Sequence, residues 1–507
     1  MQLPELKNML HKNRVIIFWL LLFLISFYLY IFKLPFPSTD EMIFKEPARN
    51  FALNHTFASP GVFGYRPGVE NCSVWYPPVY AFIYGVWFMI FGFSISSSLA
   101  LSLLICLFVA YAQYKLFKIF ADDEPPVYIL GLIFFSWILA IKGISRPDTL
   151  AVFFGLALVY FAIKYKEINS FRNSIFILLS SFLCLATSFW LGLLIIFFAA
   201  SIFLGYCRNS IKSFIKLIAS ILIGLFLTLF AWLAASGFDY KLILSQALSY
   251  ALFFISDDFV RAVSYSVITH VRYADTLFYL PLSVFLFYIA VRSLTSRKNK
   301  HKDTVNLPIF LGLIISILIL IFVFTLRHMY TQAFLIFFIS TVVFLTNKEI
   351  ATKKEFIRVI LLFIFIGCLP FIRMNILLPA TWTKADTYDY NRRILRNSIP
   401  SGSSVMVAPE LWYMLAGDYT TYDLTFSLHP YRIDIYDYLV FSGNGSGSPS
   451  EPMVGVMSLY TYYKSHLKYN YNVSKSTFIG IQNNIFGVPI SKSRWSYRFE
   501  LRKRIGK

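Results

Sequence analysis

Stretches of about 20 apolar residues recur along most of this 507-residue chain, and they constrain its fold more than any other feature. Inside a bilayer no water bonds the backbone, so each stretch must satisfy its own hydrogen bonds as a helix. The sequence predicts eleven spans, at approximately 15–34, 95–115, 126–142, 148–163, 174–190, 191–206, 214–236, 276–291, 307–326, 329–346 and 356–372. The expected fold is therefore an all-α polytopic membrane protein.

The charge pattern predicts the orientation of these spans. The formal net charge is +20, and many Lys and Arg residues lie in short loops between apolar runs, where the positive-inside rule places them. This distribution indicates a bilayer rather than a nucleic acid as the partner of the basic residues. We expect a multi-pass protein of the plasma (inner) membrane with a cytoplasmic N-terminus.

With a cytoplasmic N-terminus, an odd number of spans places the residues after the last span outside the cytoplasm. The chain then has two domains. Residues 1–372 form the transmembrane domain, and residues 373–507 are expected outside the cytoplasm. The outer part has a soluble composition, with a helical pattern at 386–397, a strand at 404–408 and alternation typical of strands at 477–490. We predict a small α/β domain there.

The first outer loop carries two adjacent acids, Asp40 and Glu41. Ser38-Thr39-Asp40-Glu41 also fits the capping box that begins a helix, which is a purely structural alternative. Further along this loop, residues 77–91 form an apolar run of about 15 residues, too short to span. We therefore predict a juxtamembrane helix there, lying along the outer surface.

Two other outer turns contain charged residues. In the sequence KGISRPD at 142–148, Arg146 and Asp148 follow a span, where snorkelling and a helix start are the alternatives. Arg327 and His328 interrupt two apolar runs; they suit a phosphate group, although a helical hairpin also needs a polar tip. Three residues of a large outer loop have the same chemistry with less specific placement: Arg261, His270 and Arg272.

Taken in order, these motifs resemble the GT-C superfamily of integral-membrane glycosyltransferases, particularly the branch with protein O-mannosyltransferases and lipid A aminoarabinose transferases. Its members have an Asp-Glu pair after the first span, a Pro-Pro that opens a juxtamembrane helix ending in Phe-Gly, an outer Arg-x-Asp, and an Arg that begins a late span. The resemblance covers roughly residues 1–350. The matching residues are Asp40-Glu41, Pro77-Pro78 to Phe91-Gly92, Arg146-Pro147-Asp148 and Arg327.

The resemblance implies transfer of a sugar from a polyprenyl-phosphate donor to a glycan, lipid or protein acceptor on the outer face. By the match Asp40 is the general base, with Glu41 and Asp148 beside it in the catalytic group. Arg146, Arg327 and His328 would bind the donor phosphate. Inversion at the anomeric carbon would follow from single displacement.

The sequence departs from the family pattern ahead of the Pro pair. Trp75 and Tyr76 stand where the aminoarabinose branch has an acid and a lysine, so no metal ligand set is predicted and a divalent cation is only an option. The aromatic pair would line the substrate site by stacking on a sugar, or anchor the chain at the membrane interface. Arg261, His270 and Arg272 are further substrate-lining candidates.

Two other functions involve the same lipid-linked saccharides: a transporter or flippase, and a ligase that moves a whole glycan. A transporter places ionisable groups at mid-membrane, whereas the predicted spans here are nearly free of charge. A ligase would depend mainly on the Arg and His residues of a large outer loop.

Overall fold

A computed structural model gives the architecture. It describes residues 14–34, 37, 40–62, 66–120, 146–167, 171–206, 211–255, 376, 378–380, 382–408, 411–423, 436–442, 471–476, 482–485, 488–491 and 499–504.

Residues 14–255 contain a series of helices. In chain order they are α1 (Arg14–Phe32), α2 (Glu41–Asn54), a 3-10 turn (Pro60–Val62), α3 (Val79–Phe91), α4 (Ile95–Phe120), α5 (Pro147–Glu167), α6 (Phe171–Thr187), α7 (Phe189–Tyr206), α8 (Ile211–Ala235) and α9 (Tyr240–Ile255). Helix α5 packs against α4, α6 and α7, and α6 packs against α8. Their facing side chains form the apolar core.

The prediction of eleven spans is not reproduced in the part of the chain that the structure describes. Three helical segments there are long and apolar enough to cross a membrane: Ile95–Leu116, Pro147–Lys164 and Ile215–Ala235. The apolar segments of α1, α6 and α7 have 10–17 residues, below the roughly 20 that a 30 Å hydrocarbon layer requires. The other five predicted spans, at 126–142, 276–291, 307–326, 329–346 and 356–372, lie outside the described residues.

Helices α1 and α8 keep large apolar side chains exposed along one side. Ile16 of α1 is 68% exposed and Phe226 of α8 is 67% exposed, whereas Leu22 and Leu29 of α1 are fully buried. A helix with one buried stripe and one exposed apolar stripe is suited to a site between a protein core and lipid. This asymmetry agrees with a helical membrane protein.

Helix α3 agrees with the predicted juxtamembrane helix. It begins directly after Pro77-Pro78 and ends at Gly92, whose φ of 74° stops the helix after 13 residues. At 1.5 Å per residue it is about 20 Å long, too short to cross a bilayer. Three residues, 92–94, then form the corner that connects α3 to α4 at Ile95.

Helices α6 and α7 form a tight hairpin with Ser188 between them. A Cβ atom on Gly192 would lie 2.9 Å from the carbonyl oxygen of Cys184, so the two backbones touch where only glycine fits. The predicted boundary between the spans 174–190 and 191–206 therefore falls within a few residues of the observed turn.

The C-terminal residues form the predicted small α/β unit. Its elements are the single turns Leu378–Ala380 and Lys384–Asp386, α10 (Tyr388–Ser398), β1 (Ser404–Val407), α11 (Trp412–Leu415), β2 (Thr420–Asp423), β3 (Tyr438–Ser442), β4 (Tyr471–Ser476), β5 (Gln482–Ile485), β6 (Val488–Ser491) and β7 (Phe499–Arg504). One sheet has the order β2-β1-β3-β7-β4, in which β1 runs parallel to β2 and β3, and β7 antiparallel to β3 and β4. Strands β5 and β6 form a separate antiparallel pair.

This unit contacts the end of α1 and the start of α4. Lys33, just after α1, forms an ion pair with Asp389 of α10 at 2.5 Å, and Ser98 of α4 lies 2.8 Å from the hydroxyl of Tyr413 in α11. The C-terminal unit and the first outer loop therefore lie on the same side of the helical bundle. Which side of a membrane this is stays a prediction from the charge pattern.

Candidate functional site

Asp40 lies at the start of α2. It is the N-cap residue, with φ −87° and ψ −3° and no side-chain cap hydrogen bond, and Glu41 is the first helical residue. A capping box would need Glu41 two positions further into the helix, at N3, so that alternative is wrong. The Asp40 carboxylate points instead to a residue more than one hundred positions away.

Arg146 joins Asp40 to Asp148, and we call these three residues the carboxylate–arginine cluster. The Arg146 Nη1 group forms an ion pair with Asp40 Oδ2, and its Nε donates to Asp148 Oδ2 at 3.0 Å. The side chain of Asp40 is 22% exposed, against 11% for Arg146 and 5% for Asp148. Asp40 is thus the member that a substrate reaches most easily.

Local sequence explains the position of Asp148. Pro147 opens α5, which its fixed φ favours, and Asp148 lies in the first turn, where the helix dipole stabilises a negative charge. Its second oxygen, Oδ1, accepts a hydrogen bond from Ser188 Oγ at 2.9 Å. Ser188, in the α6–α7 turn, therefore holds the Asp148 carboxylate in place, and Asp148 in turn orients Arg146.

Aromatic rings support the cluster. The guanidinium carbon of Arg146 lies 5.0 Å from the ring centroid of Phe44, one turn after Asp40 on α2. Trp75 stacks on Phe44 at 5.5 Å, and Tyr76 meets its ring edge-on at 5.3 Å. Trp75 and Tyr76 are only 5% and 9% exposed. They pack against Phe44 and leave little exposed ring surface on which a sugar could stack.

The loop that carries Trp75 is held by residues of α8 and α9. Gln246 of α9 accepts from the Val74 N–H at 2.9 Å and donates to the Pro67 and Cys72 carbonyls at 2.9 and 2.8 Å. Trp232 of α8 donates to the Val74 carbonyl. These hydrogen bonds fix the loop that places Trp75 against Phe44.

Glu41 is turned away from the carboxylate–arginine cluster and is buried. Its Oε2 accepts a hydrogen bond from the Tyr413 hydroxyl at 2.9 Å, and the residue is 3% exposed. Lys45, one turn later, is fully buried, and its ammonium lies 3.1 Å from the centroid of the Tyr84 ring. Burial lowers the pKa of Lys45 to about 7, and the negative charge of Glu41 limits that decrease.

Glu46 is a second buried acid on α2. It accepts hydrogen bonds from Ser59 Oγ at 2.7 Å and from the Gly61 N–H at 3.1 Å. Burial nevertheless raises the pKa of Glu46 to about 7, because the protein cannot solvate its charged form as water does. Glu46 thus fixes the 3-10 turn to α2.

The remaining predicted site residues lie outside the described residues. These are Arg261, His270, Arg272, Arg327 and His328. Within the ranges that the structure describes, no group of three or more His, Cys, Asp or Glu side chains is arranged to hold a metal ion.

Four residues around α2 were not predicted: Lys45, Glu46, Ser188 and Tyr413. In sequence, Glu41 and Lys45 have the i, i+4 spacing of an ordinary solvated helix pair, and Ser188 is one polar residue in an apolar run. Only the fold shows that they are buried. No family model matches this sequence, and no curated protein is significantly similar to it.

Proposed function

We propose that this protein is a membrane glycosyltransferase that moves a sugar from a polyprenyl-phosphate donor to an acceptor hydroxyl of a glycan, lipid or protein. The observation that supports this most is the contact of Asp40 with Arg146 and Asp148. These residues belong to two motifs that are 106 positions apart in sequence and that the resemblance assigns to one site.

Asp40 has the features of a general base in this reaction. It is the most exposed member of the cluster, and Arg146 orients its carboxylate. The acceptor hydroxyl gives its proton to Asp40 while its oxygen bonds to the anomeric carbon. The bond from that carbon to the phosphate oxygen breaks through an oxocarbenium-like transition state, and the polyprenyl phosphate leaves with the electron pair.

The geometry favours a positioning role for Arg146 over the predicted phosphate-binding role. Two carboxylates already bind its guanidinium, so the cluster carries a net charge of −1 if both acids are ionised. A phosphate gains little from an arginine that is already neutralised in this way. Within this proposal the leaving phosphate is assigned to Arg327 and His328, which the resemblance places at the same outer face.

The test is Asp40→Asn, which keeps the side-chain shape and removes the base. Purified protein in detergent is incubated with polyprenyl-phosphate hexoses and pentoses and with membrane-glycan acceptors, and products are identified by mass spectrometry. We expect the wild type to transfer one of these sugars and Asp40→Asn to be slower by about 100-fold or more.

Asp389→Asn is the matched control, because Asp389 also forms an ion pair with a cation on the same side of the bundle, Lys33, and its side chain is 73% exposed. It should transfer sugar at the wild-type rate. Turnover by Asp40→Asn equal to the wild type would remove Asp40 from the mechanism. A transporter would give no product in detergent, where there is no membrane to cross, and that result would overturn the proposal.

A further inference from the structure

The C-terminal α/β unit inserts an aromatic helix against the start of α2. Trp412 and Tyr413 of α11 are 0% and 3% exposed, and both rings contact Phe93 in the corner between α3 and α4, at 5.1 and 5.4 Å. Within the unit itself, Tyr388 donates a hydrogen bond to the Tyr413 carbonyl at 2.8 Å. Helix α11 is therefore held from both sides.

The Tyr413 hydroxyl makes the polar contact of this interface with α2. It donates to Glu41 Oε2 at 2.9 Å and lies 2.8 Å from Ser98 Oγ. Glu41 is the residue next to Asp40, so this bond fixes the first turn of α2 through a side chain other than the one that binds Arg146. Loss of such a donor weakens the hold on a buried carboxylate.

Strand β2 makes a second close approach to the same region. A Cβ atom on Gly61 would lie 2.1 Å from Met42 Cε, 2.5 Å from Glu46 Oε1 and 2.8 Å from the Thr421 carbonyl oxygen. Backbone from the C-terminal unit thus packs on the turn that Glu46 binds to α2. The unit contacts α2 directly at its start and, through this turn, at its middle.

We infer that the C-terminal unit helps to position the site. Tyr413 binds Glu41 and so sets the position of Asp40 relative to Arg146. Tyr413 is a positioning residue, because it touches Glu41 and not the cluster. The inference rests on the proposed function only for the reaction that Asp40 performs; the control of α2 by Tyr413 stands on the contacts alone.

The experiment compares Tyr413→Phe with Tyr419→Phe in the full-length protein. Both changes delete one hydroxyl in the same unit, but that of Tyr419 bonds the Arg396 and Ile399 carbonyls, away from α2. Hydrogen–deuterium exchange of the α2 amides of residues 44–46 and 48 is the readout that needs no substrate; residue 47 is a proline and has no amide hydrogen. We expect exchange about tenfold faster in Tyr413→Phe and unchanged in Tyr419→Phe.

Kinetics supply the second readout. Tyr413→Phe should lower kcat about tenfold and change the donor KM by less than about twofold, because Asp40 moves while donor binding persists. In a Glu41→Ala background the same change should have no further effect, since Tyr413 acts through Glu41. Ser98→Ala, which disturbs the same hydroxyl more gently, should change both readouts in the same direction by a smaller factor.

Wild-type exchange at residues 44–46 and 48 in Tyr413→Phe would overturn the inference. So would a loss of kcat that is fully additive with Glu41→Ala. If the wild-type protein transfers no sugar, the proposed function fails, and the exchange comparison alone then decides the inference.

Discussion

Asp40 and Glu41 are adjacent in sequence, yet they lie in two different regions of the molecule. Side chains of neighbouring residues at a helix start diverge by roughly 100°, so the two acids meet different partners. Asp40 joins the partly exposed carboxylate–arginine cluster, and Glu41 joins the buried contact with Tyr413. The two adjacent acids therefore occupy two different environments: Asp40 lies in the carboxylate–arginine cluster, and Glu41 contacts the C-terminal unit.

The two regions also differ in how their charges are stabilised. In the cluster, Arg146 forms direct ion pairs with two carboxylates, that of the partly exposed Asp40 and that of the buried Asp148. On the buried side, the Lys45 ammonium is stabilised by an aromatic ring and by the field of Glu41, and Glu46 by neutral hydrogen-bond donors. On the buried side, the loss of solvation brings the pKa values of Lys45 and Glu46 close to neutrality.

The largest expected effect comes from removing the centre of the cluster. Arg146→Ala leaves Asp148, only 5% exposed, without its cation, which we expect to cost about 3–5 kcal/mol of unfolding free energy. Denaturant unfolding in detergent micelles measures this. Arg396→Ala breaks the more exposed pair with Asp418 and should cost about 1 kcal/mol or less. Equal losses of unfolding free energy in the two variants would mean that the burial of Asp148 does not raise the cost of removing its cation.

A change on the buried side should alter the pH dependence of stability. The folded-state pKa of Glu46, about 7, exceeds the ordinary value of 4.5, so the native protein binds a proton that the unfolded chain releases between these values. The contribution of Glu46 to stability is therefore lost as pH rises through about 7.

Glu46→Gln has no such proton to lose. We expect it to match the wild type near pH 5 and to be more stable at pH 8 by about 1–3 kcal/mol. Unfolding midpoints measured from pH 5 to pH 8 test this. Parallel curves for the two proteins would show that Glu46 is not a buried, raised-pKa acid.

The smallest effect should come from Ser188, whose hydroxyl binds Asp148. Ser188→Ala removes one hydrogen bond to Asp148 and leaves the ion pair with Arg146, so we expect a loss of about 1–2 kcal/mol in unfolding free energy. Ser220→Ala, whose hydroxyl bonds an exposed backbone carbonyl within its own helix, should change stability by less than about 0.5 kcal/mol. A Ser188 variant as stable as the Ser220 variant would show that the α6–α7 turn does not support Asp148.

Local sequence predicted the elements around the site well. Pro77-Pro78 and Gly92 bound α3, Pro147 opens α5, and the helix and strand expected at 386–397 and 404–408 are present within a few residues. Proline and glycine restrict or free the backbone wherever they occur, so such boundaries need no tertiary information. The capping box failed because its signal is a short polar pattern that tertiary contacts override.

Among the described residues, the predicted number of spans is not reproduced, for a related reason. Apolar composition shows that a segment avoids water, but it does not show whether protein or lipid surrounds it. The apolar segments of α6 and α7 are shorter than a full span, and they pack closely on α5 and on each other. Hydropathy alone assigns such a hairpin to two crossings.

What the sequence determined by itself was a helical protein with apolar segments, a polar first loop and a small C-terminal α/β unit, because each depends on residues close together in the chain. The tertiary structure decided which charges meet. Asp40 and Arg146 are 106 residues apart, and Glu41 and Tyr413 are 372 apart, so no local pattern encodes either contact. Packing decides whether an acid is solvated, ion-paired or buried, and that separates Asp40 from its neighbour Glu41.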